Sequence, residues 1–150
     1  MRDESFLFAD DRSVSPGVLE QPRTPVLLLI DDEPMIGRFL GHAAEDCGYR
    51  SVVTASADNF RRAYRAHAPD IVAVDLGVPG GDGIEILRFL AEEKCTAPVI
   101  IVSGFDRRVL ESSVRLGEAL GLRMAGPLEK PVRFEELARL LGELQTEAAE

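Results

Sequence analysis

Two aspartates in succession, Asp31 and Asp32, follow the apolar run Val26-Leu27-Leu28-Leu29-Ile30. A third, Asp75, closes a second run, Ile71-Val72-Ala73-Val74, and the Gly- and Pro-rich stretch from Gly77 through Pro79 to Gly83 comes after it. Ser103-Gly104 follows a third run, Val99-Ile100-Ile101-Val102, and Leu128-Glu129-Lys130-Pro131 follows a weaker one, Leu122 to Ala125. Carboxylates packed together raise each other's pKa unless a cation offsets them. Oxygen ligands suit a hard cation such as Mg²⁺. A hydroxyl and an ammonium beside such a cation are donors for phosphate oxygens. The chemistry that these residue types point to is therefore a metal-and-phosphate site, with acids for the metal and with Ser103 and Lys130 for the phosphate. One acid at the end of one apolar run would count for little, since a polar residue often closes a strand. The repetition at successive run ends carries the argument.

These residues meet only if the apolar runs are parallel neighbours in one sheet. Between the runs lie helical patterns. Pro34 suits a first helical turn, and Met35, Ile36, Phe39, Leu40, Ala43 and Cys47 form an apolar stripe that stops at Gly48. Tyr49 to Ala55 reads as a second strand. Asp58 is placed to cap a second helix, with Phe60, Ala63 and Tyr64 inward. Asp82 or Gly83 opens a third. Asp106 caps a fourth, with Val109, Leu110 and Val114 inward. Arg133 or Phe134 opens a fifth, striped by Leu137, Leu140, Leu141 and Leu144. Strand and helix alternate five times, which predicts an α/β fold with a parallel sheet covered on both faces. Residues 1–24 lack periodicity and contain Pro16, Gly17 and Pro22. They read as a mobile tail before a single domain at 25–148.

The chain has 150 residues, is 45% hydrophobic and has a net charge of −9. The length suits one domain with a real core. The negative charge argues against direct nucleic-acid binding, which depends on neutralising phosphates. No apolar stretch approaches the roughly 20 residues that span a membrane, and the N-terminus lacks a secretory signal pattern. A cytoplasmic location is the expectation. Cys47 and Cys95 read as small core hydrophobes. The glycines around Gly80 do not form a nucleotide-binding loop, because no Gly-Lys-Ser/Thr follows them.

Asp31-Asp32, Asp75 with Pro79 and Gly83, Ser103 and Lys130-Pro131, in this order and each at a strand end, resemble the receiver domain of the response regulators of two-component signalling. The resemblance covers about residues 25–148. It implies a flavodoxin-like (βα)5 sheet of order 2-1-3-4-5, which sets strands one and three side by side at the switch point. It implies that Asp75 is the phosphoacceptor for a phosphohistidine. Mg²⁺ would be held by Asp31, Asp32, Asp75 and the Gly77 carbonyl, and Ser103 and Lys130 would contact the phosphoryl group. It implies a cis peptide at Lys130-Pro131. Partners would be a sensor histidine kinase or a histidine phosphotransfer protein and a downstream protein, with homodimerisation open. No nucleic acid or membrane is expected as a partner. Such a domain is not an enzyme beyond Mg²⁺-dependent self-phosphorylation and self-dephosphorylation.

The sequence departs from the pattern in three places. Pro127 stands where the family usually has an aromatic residue. The segment from Ser103 to Lys130 is several residues longer than usual, with the excess expected between the fourth helix and strand five. Gly77 and Phe105 stand where hydrolytic water is often positioned, which predicts slow self-dephosphorylation. Gly37 and Gly41, four apart on the first helix, are expected to form a flat patch for kinase docking. Two alternatives stay open beside the stand-alone phosphoacceptor. One is a pseudo-receiver that binds a partner without phosphorylation. The other is the front piece of a longer regulator with a cyclic-dinucleotide phosphodiesterase output.

Overall fold

The computed structural model describes residues 23–77, 82–104 and 106–149. The expected tail at its first 22 residues, the Pro79 turn and Phe105 lie outside the described residues. The elements run β1 (Val26–Ile30), α1 (Pro34–Asp46), β2 (Arg50–Thr54), α2 (Ala57–His67), β3 (Ile71–Asp75), α3 (Asp82–Glu92), β4 (Val99–Ser103), α4 (Arg107–Ala119), β5 (Met124–Glu129) and α5 (Phe134–Ala149). The sheet order is β2-β1-β3-β4-β5, and every pairing is parallel. The flavodoxin-like (βα)5 expectation holds.

β1, β3 and β4 are buried along their whole length, as strands covered on both faces must be. Their side chains alternate between two cores. Leu28, Ile30, Val72, Val74, Val99 and Ile101 pack with Phe60, Ile86, Leu87, Leu90 and Leu110 from α2, α3 and α4. Leu27, Leu29, Ile71, Ala73, Ile100 and Val102 pack with Leu40, Ala43, Leu137, Leu141 and Leu144 from α1 and α5. Burying one such side chain stabilises the fold by roughly 1.5–3 kcal/mol. The strands end at the same edge, so the residues just past each strand are brought into line there.

Several local expectations are corrected. Ser56, not Asp58, caps α2: its side chain accepts from the Asn59 amide, while Asp58 sits in the first turn and pairs with Arg61. A cap must stand outside the helix, and the chain turns helical at Ala57. Met35 is 79% exposed and Phe39 is also exposed, so the α1 stripe narrows to Ile36, Leu40, Ala43 and Cys47. Val109 is exposed too, although Asp106 caps α4 as expected through the Val109 amide. Strand five begins at Met124 and runs to Glu129, two residues later than the sequence pattern indicated at its start and four later at its end. Ile100 faces Ala125 and Val102 faces Leu128, so three steps along β5 match two along β4. One residue of the extra length is therefore taken up as a bulge inside the strand, at Gly126-Pro127. An edge strand tolerates the proline that would disqualify a central one. Both Gly126-Pro127 and Lys130-Pro131 are cis.

Gly37 and Gly41 do not form an outward patch. Both are buried, and a Cβ added at either would stand 3.0 Å from Val53 of β2. At Gly41 the Ser51 hydroxyl would also be 3.2 Å away. The two glycines let α1 lie directly on the edge strand, which offsets their helix-propensity cost of roughly 0.5–1 kcal/mol each. We expect Gly41→Val to lower stability by about 1–3 kcal/mol through overpacking, read as a lower urea midpoint of the isolated protein. Adding Val53→Ala should recover part of that loss. An unchanged midpoint in Gly41→Val would mean that the helix does not need this close approach.

Candidate functional site

β1 ends at Ile30 and delivers Asp31 and Asp32 to the carboxyl edge of the sheet. β3, its direct neighbour in the sheet, ends on Asp75. Carboxylate oxygens of Asp31, Asp32 and Asp75 lie within 4.8 Å of one another. Asp31 and Asp75 are 1% exposed, and Asp32 is the solvent-reachable member. β4 brings Ser103, fully buried, to the same edge. The Lys130 amide donates to the Ser103 carbonyl at 2.9 Å, which fixes the lysine backbone beside that strand end.

The Lys130 ammonium closes the site. Its Nζ is 3.1 Å from Asp31 Oδ2, 3.1 Å from Asp75 Oδ2 and 3.0 Å from Glu33 Oε1. It donates hydrogen bonds to Asp75 and Glu33. The contact with Asp31 lacks hydrogen-bond geometry, and Asp31 Oδ2 is buried with no donor. The other oxygen of each buried aspartate accepts from a backbone amide, Asp31 Oδ1 from Glu33 and Asp75 Oδ1 from Gly77, each at 2.9 Å. Burial pushes the Asp31 carboxyl above the ordinary carboxylate range, against the Glu33 amide and Lys130, which pull it down; the Asp75 charge adds to the rise. For Lys130, burial acts to lower the pKa, but contacts with Glu33, Asp31 and Asp75 outweigh it and raise the ammonium above its usual value.

The sequence-selected residues thus fall into one cluster: Asp31, Asp32, Asp75, Ser103 and Lys130 share the edge, with Gly77 bonded to Asp75. Sequence reasoning missed Glu33 as a partner of the lysine. Its signal was present as the third acid in Asp31-Asp32-Glu33, but an acid before Pro34 at a helix start reads as an ordinary helix-terminal charge. The donor set is all oxygen and carries more negative charge than one ammonium neutralises. With a buried carboxylate oxygen that has no hydrogen-bond donor, this is a set that a hard divalent cation fits.

A sequence model of the response regulator receiver domain matches residues 27–141. The chain belongs to the response regulator receiver domain family. Among curated relatives, the transcriptional regulatory protein KdpE of Mycobacterium tuberculosis is 36% identical over 116 residues, covering 77% of this chain and 49% of the relative. The positive alginate biosynthesis regulatory protein of Pseudomonas aeruginosa is 34% identical over 122 residues, covering 77% of this chain and 45% of its own length. This receiver therefore spans about half the length of these relatives. Among solved structures, a response regulator from Colwellia psychrerythraea superposes with a TM-score of 0.71 at 29% identity, covering 83% of this chain and 99% of that one. A receiver protein from Burkholderia phymatum gives 0.65 at 27% identity, with coverage of 80% and 94%. Among the described residues, no helix is long and apolar enough to cross a membrane.

The raised pKa of Asp31 has a stability consequence. The folded receiver holds this proton more tightly than the unfolded chain, so the contribution of Asp31 to stability falls as pH rises through the carboxylate range to the folded pKa. Where the Asp31 carboxyl is ionised, its burial is a net cost. Asp31→Asn, which keeps the shape and removes the charge, should raise the Tm of the metal-free protein at pH 7. Its advantage over wild type should shrink as pH falls through the carboxylate range. Thermal unfolding in EDTA across that range checks this; an advantage independent of pH would exclude the charge as the cause.

Proposed function

We propose that this receiver accepts a phosphoryl group on Asp75 from a phosphohistidine of a partner kinase or phosphotransfer protein. One observation carries this reading: a buried aspartate, Asp75, shares an ammonium with a second buried aspartate and stands within reach of a third, Asp32, that solvent reaches. In the transfer, a carboxylate oxygen of Asp75 attacks phosphorus, the P–N bond to the imidazole breaks, and the imidazole leaves with the bonding pair. The Gly77 amide holds Asp75 Oδ1 and Lys130 holds Oδ2, so the carboxylate is oriented before the donor arrives. Asp31, Asp32, Asp75 and the Gly77 carbonyl would hold Mg²⁺, which supplies neutralisation of the charge that builds on the transferring group. The Ser103 hydroxyl and Lys130 would then bond phosphoryl oxygens.

The same reading assigns the outer face of α1 to the kinase. Met35 and Phe39, one turn apart on α1, are both exposed. Large apolar side chains grouped in water suit a docking contact. The cytoplasm is the compartment this reading requires, since the phosphohistidine donors of this chemistry work there. Residues 1–24 are assigned to a tail outside the receiver proper. The pseudo-receiver alternative would be favoured by loss of an acid or of the lysine, and this chain retains Asp31, Asp32, Asp75 and Lys130.

Incubation of the purified protein with acetyl phosphate and Mg²⁺, followed by intact-mass and peptide mass spectrometry, tests the assignment. The expected result is a single phosphoryl adduct on Asp75 that disappears in Asp75→Asn. Undiminished labelling of that variant would move the acceptor elsewhere, and no labelling of the wild type would leave the binding-module reading. The lifetime of the adduct is a separate expectation. A Cβ at Gly77 would stand 3.3 Å from Asp75 Oδ1, so an amide side chain there would sit beside the acceptor. Decay of the purified phosphoprotein should be slow in wild type and faster in Gly77→Asn with Phe105→Glu, by about tenfold for each 1.36 kcal/mol of barrier removed. Equal decay rates would show that water placement at these positions does not limit hydrolysis here.

A further inference from the structure

Glu33 is the acid at the site that phosphoacceptor chemistry does not use. Its side chain is 57% exposed, and it occupies the residue before Pro34, at the N-cap of α1. A negative charge in that place is favoured by the helix dipole. Glu33 makes no side-chain cap hydrogen bond; its Oε1 accepts instead from Lys130 Nζ at 3.0 Å. Meanwhile Asp31 Oδ2, fully buried and 3.1 Å from the same nitrogen, is left without a donor. An unsatisfied buried acceptor carries a desolvation cost, whereas an exposed acid can be satisfied by water. The ammonium therefore directs a hydrogen bond to the accessible carboxylate while a buried one goes without. Glu33 thus shares Lys130 with the two buried aspartates from the solvent side.

We infer that Glu33 is a positioning residue that holds Lys130 in the unmodified receiver and so slows capture of the phosphoryl group. The inference rests on Asp75 as the acceptor. To bond a phosphoryl oxygen on Asp75, Lys130 must give up or share a ligand, and Glu33 is the one that competes from the solvent side. Glu33 thereby sets how readily the unmodified state is left. Its charge also faces an incoming anionic donor, and this general repulsion must be separated from the hold on Lys130.

The experiment measures initial labelling rates of the full chain at saturating acetyl phosphate and Mg²⁺, by intact mass. Wild type, Glu33→Gln and Glu33→Asp are compared with one another, and Glu33→Gln combined with Lys130→Met is compared with Lys130→Met alone. Glu33→Asp keeps the charge at the mouth but shortens the reach to Lys130 by one methylene. Glu33→Gln and Glu33→Asp should both label faster than wild type, by about 1.5-fold to fivefold, the range for weakening one accessible ion pair. The gain from Glu33→Gln should vanish in the Lys130→Met background. A gain in Glu33→Gln that is absent in Glu33→Asp, or that persists without Lys130, would reduce Glu33 to a repulsive charge and overturn the inference. Equal rates in wild type and both single variants would overturn it as well, while leaving Asp75 as acceptor. If Lys130→Met does not fold, Glu33→Asp still decides between reach and charge. Failure of the wild type to label would overturn the acceptor reading itself, a result distinct from unchanged rates among labelled proteins.

Discussion

One ammonium holds the functional edge of this protein together. Lys130 Nζ stands within 3.1 Å of carboxylates from two different strand ends and 3.0 Å from a third acid at the start of α1. Without it, Asp31 and Asp75 would be buried like charges, and the least costly response would be for one of them to hold a proton. With it, the cluster stays compact, yet the balance is incomplete: Asp31 remains raised and one of its oxygens has no hydrogen-bond donor. The uncompensated negative charge leaves an oxygen-lined edge of the kind a hard divalent cation fits.

The rest of the fold supplies rigidity for that cluster. The three central strands are apolar on both faces, and each face is closed by its own set of helices. Close-packed interiors have low compressibility, so the strand ends are fixed points from which Asp75 and Ser103 project. The edges of the sheet are treated differently. β2 is covered by α1 through two glycines that allow contact with Val53. β5 carries a bulge at Gly126-Pro127 just before Lys130. The ammonium is thus supplied from the end of the least regular strand, while the acids and the hydroxyl come from regular ones. Neighbouring Glu129 pairs with Arg107 at the start of α4, so the Ser103 and Lys130 strand ends are tied at the surface as well as through the backbone.

Pro127 bears on how such a domain would report a change at Asp75. The usual aromatic is missing, and the residue in its place is a half-buried proline inside β5. A proline has no rotatable side chain to swing between an exposed and a buried position. The swing of an aromatic side chain at this position is therefore unavailable to this chain.

Periodicity and punctuation in the sequence by themselves determined the α/β architecture, because continuous apolar runs bounded by helical stripes leave a doubly covered parallel sheet as the economical solution. Asp31, Asp32, Asp75, Ser103 and Lys130 were legible for the same reason: each lies at the end of an apolar run, and parallel strands bring their carboxyl ends to one edge. What only the tertiary structure decided depends on which side of an element a residue faces and on contacts between distant segments. Gly37 and Gly41 look alike whether they face a partner or β2, and only the approach of Val53 distinguishes the two. Met35 and Phe39 fit an apolar stripe on a helical wheel, but the way α1 packs on the sheet leaves both exposed. The β5 bulge is a matter of register against β4, which no local pattern encodes. Glu33 is separated from Lys130 by nearly the whole domain, and its role exists only because the carboxyl ends of β1 and β5 converge on the site.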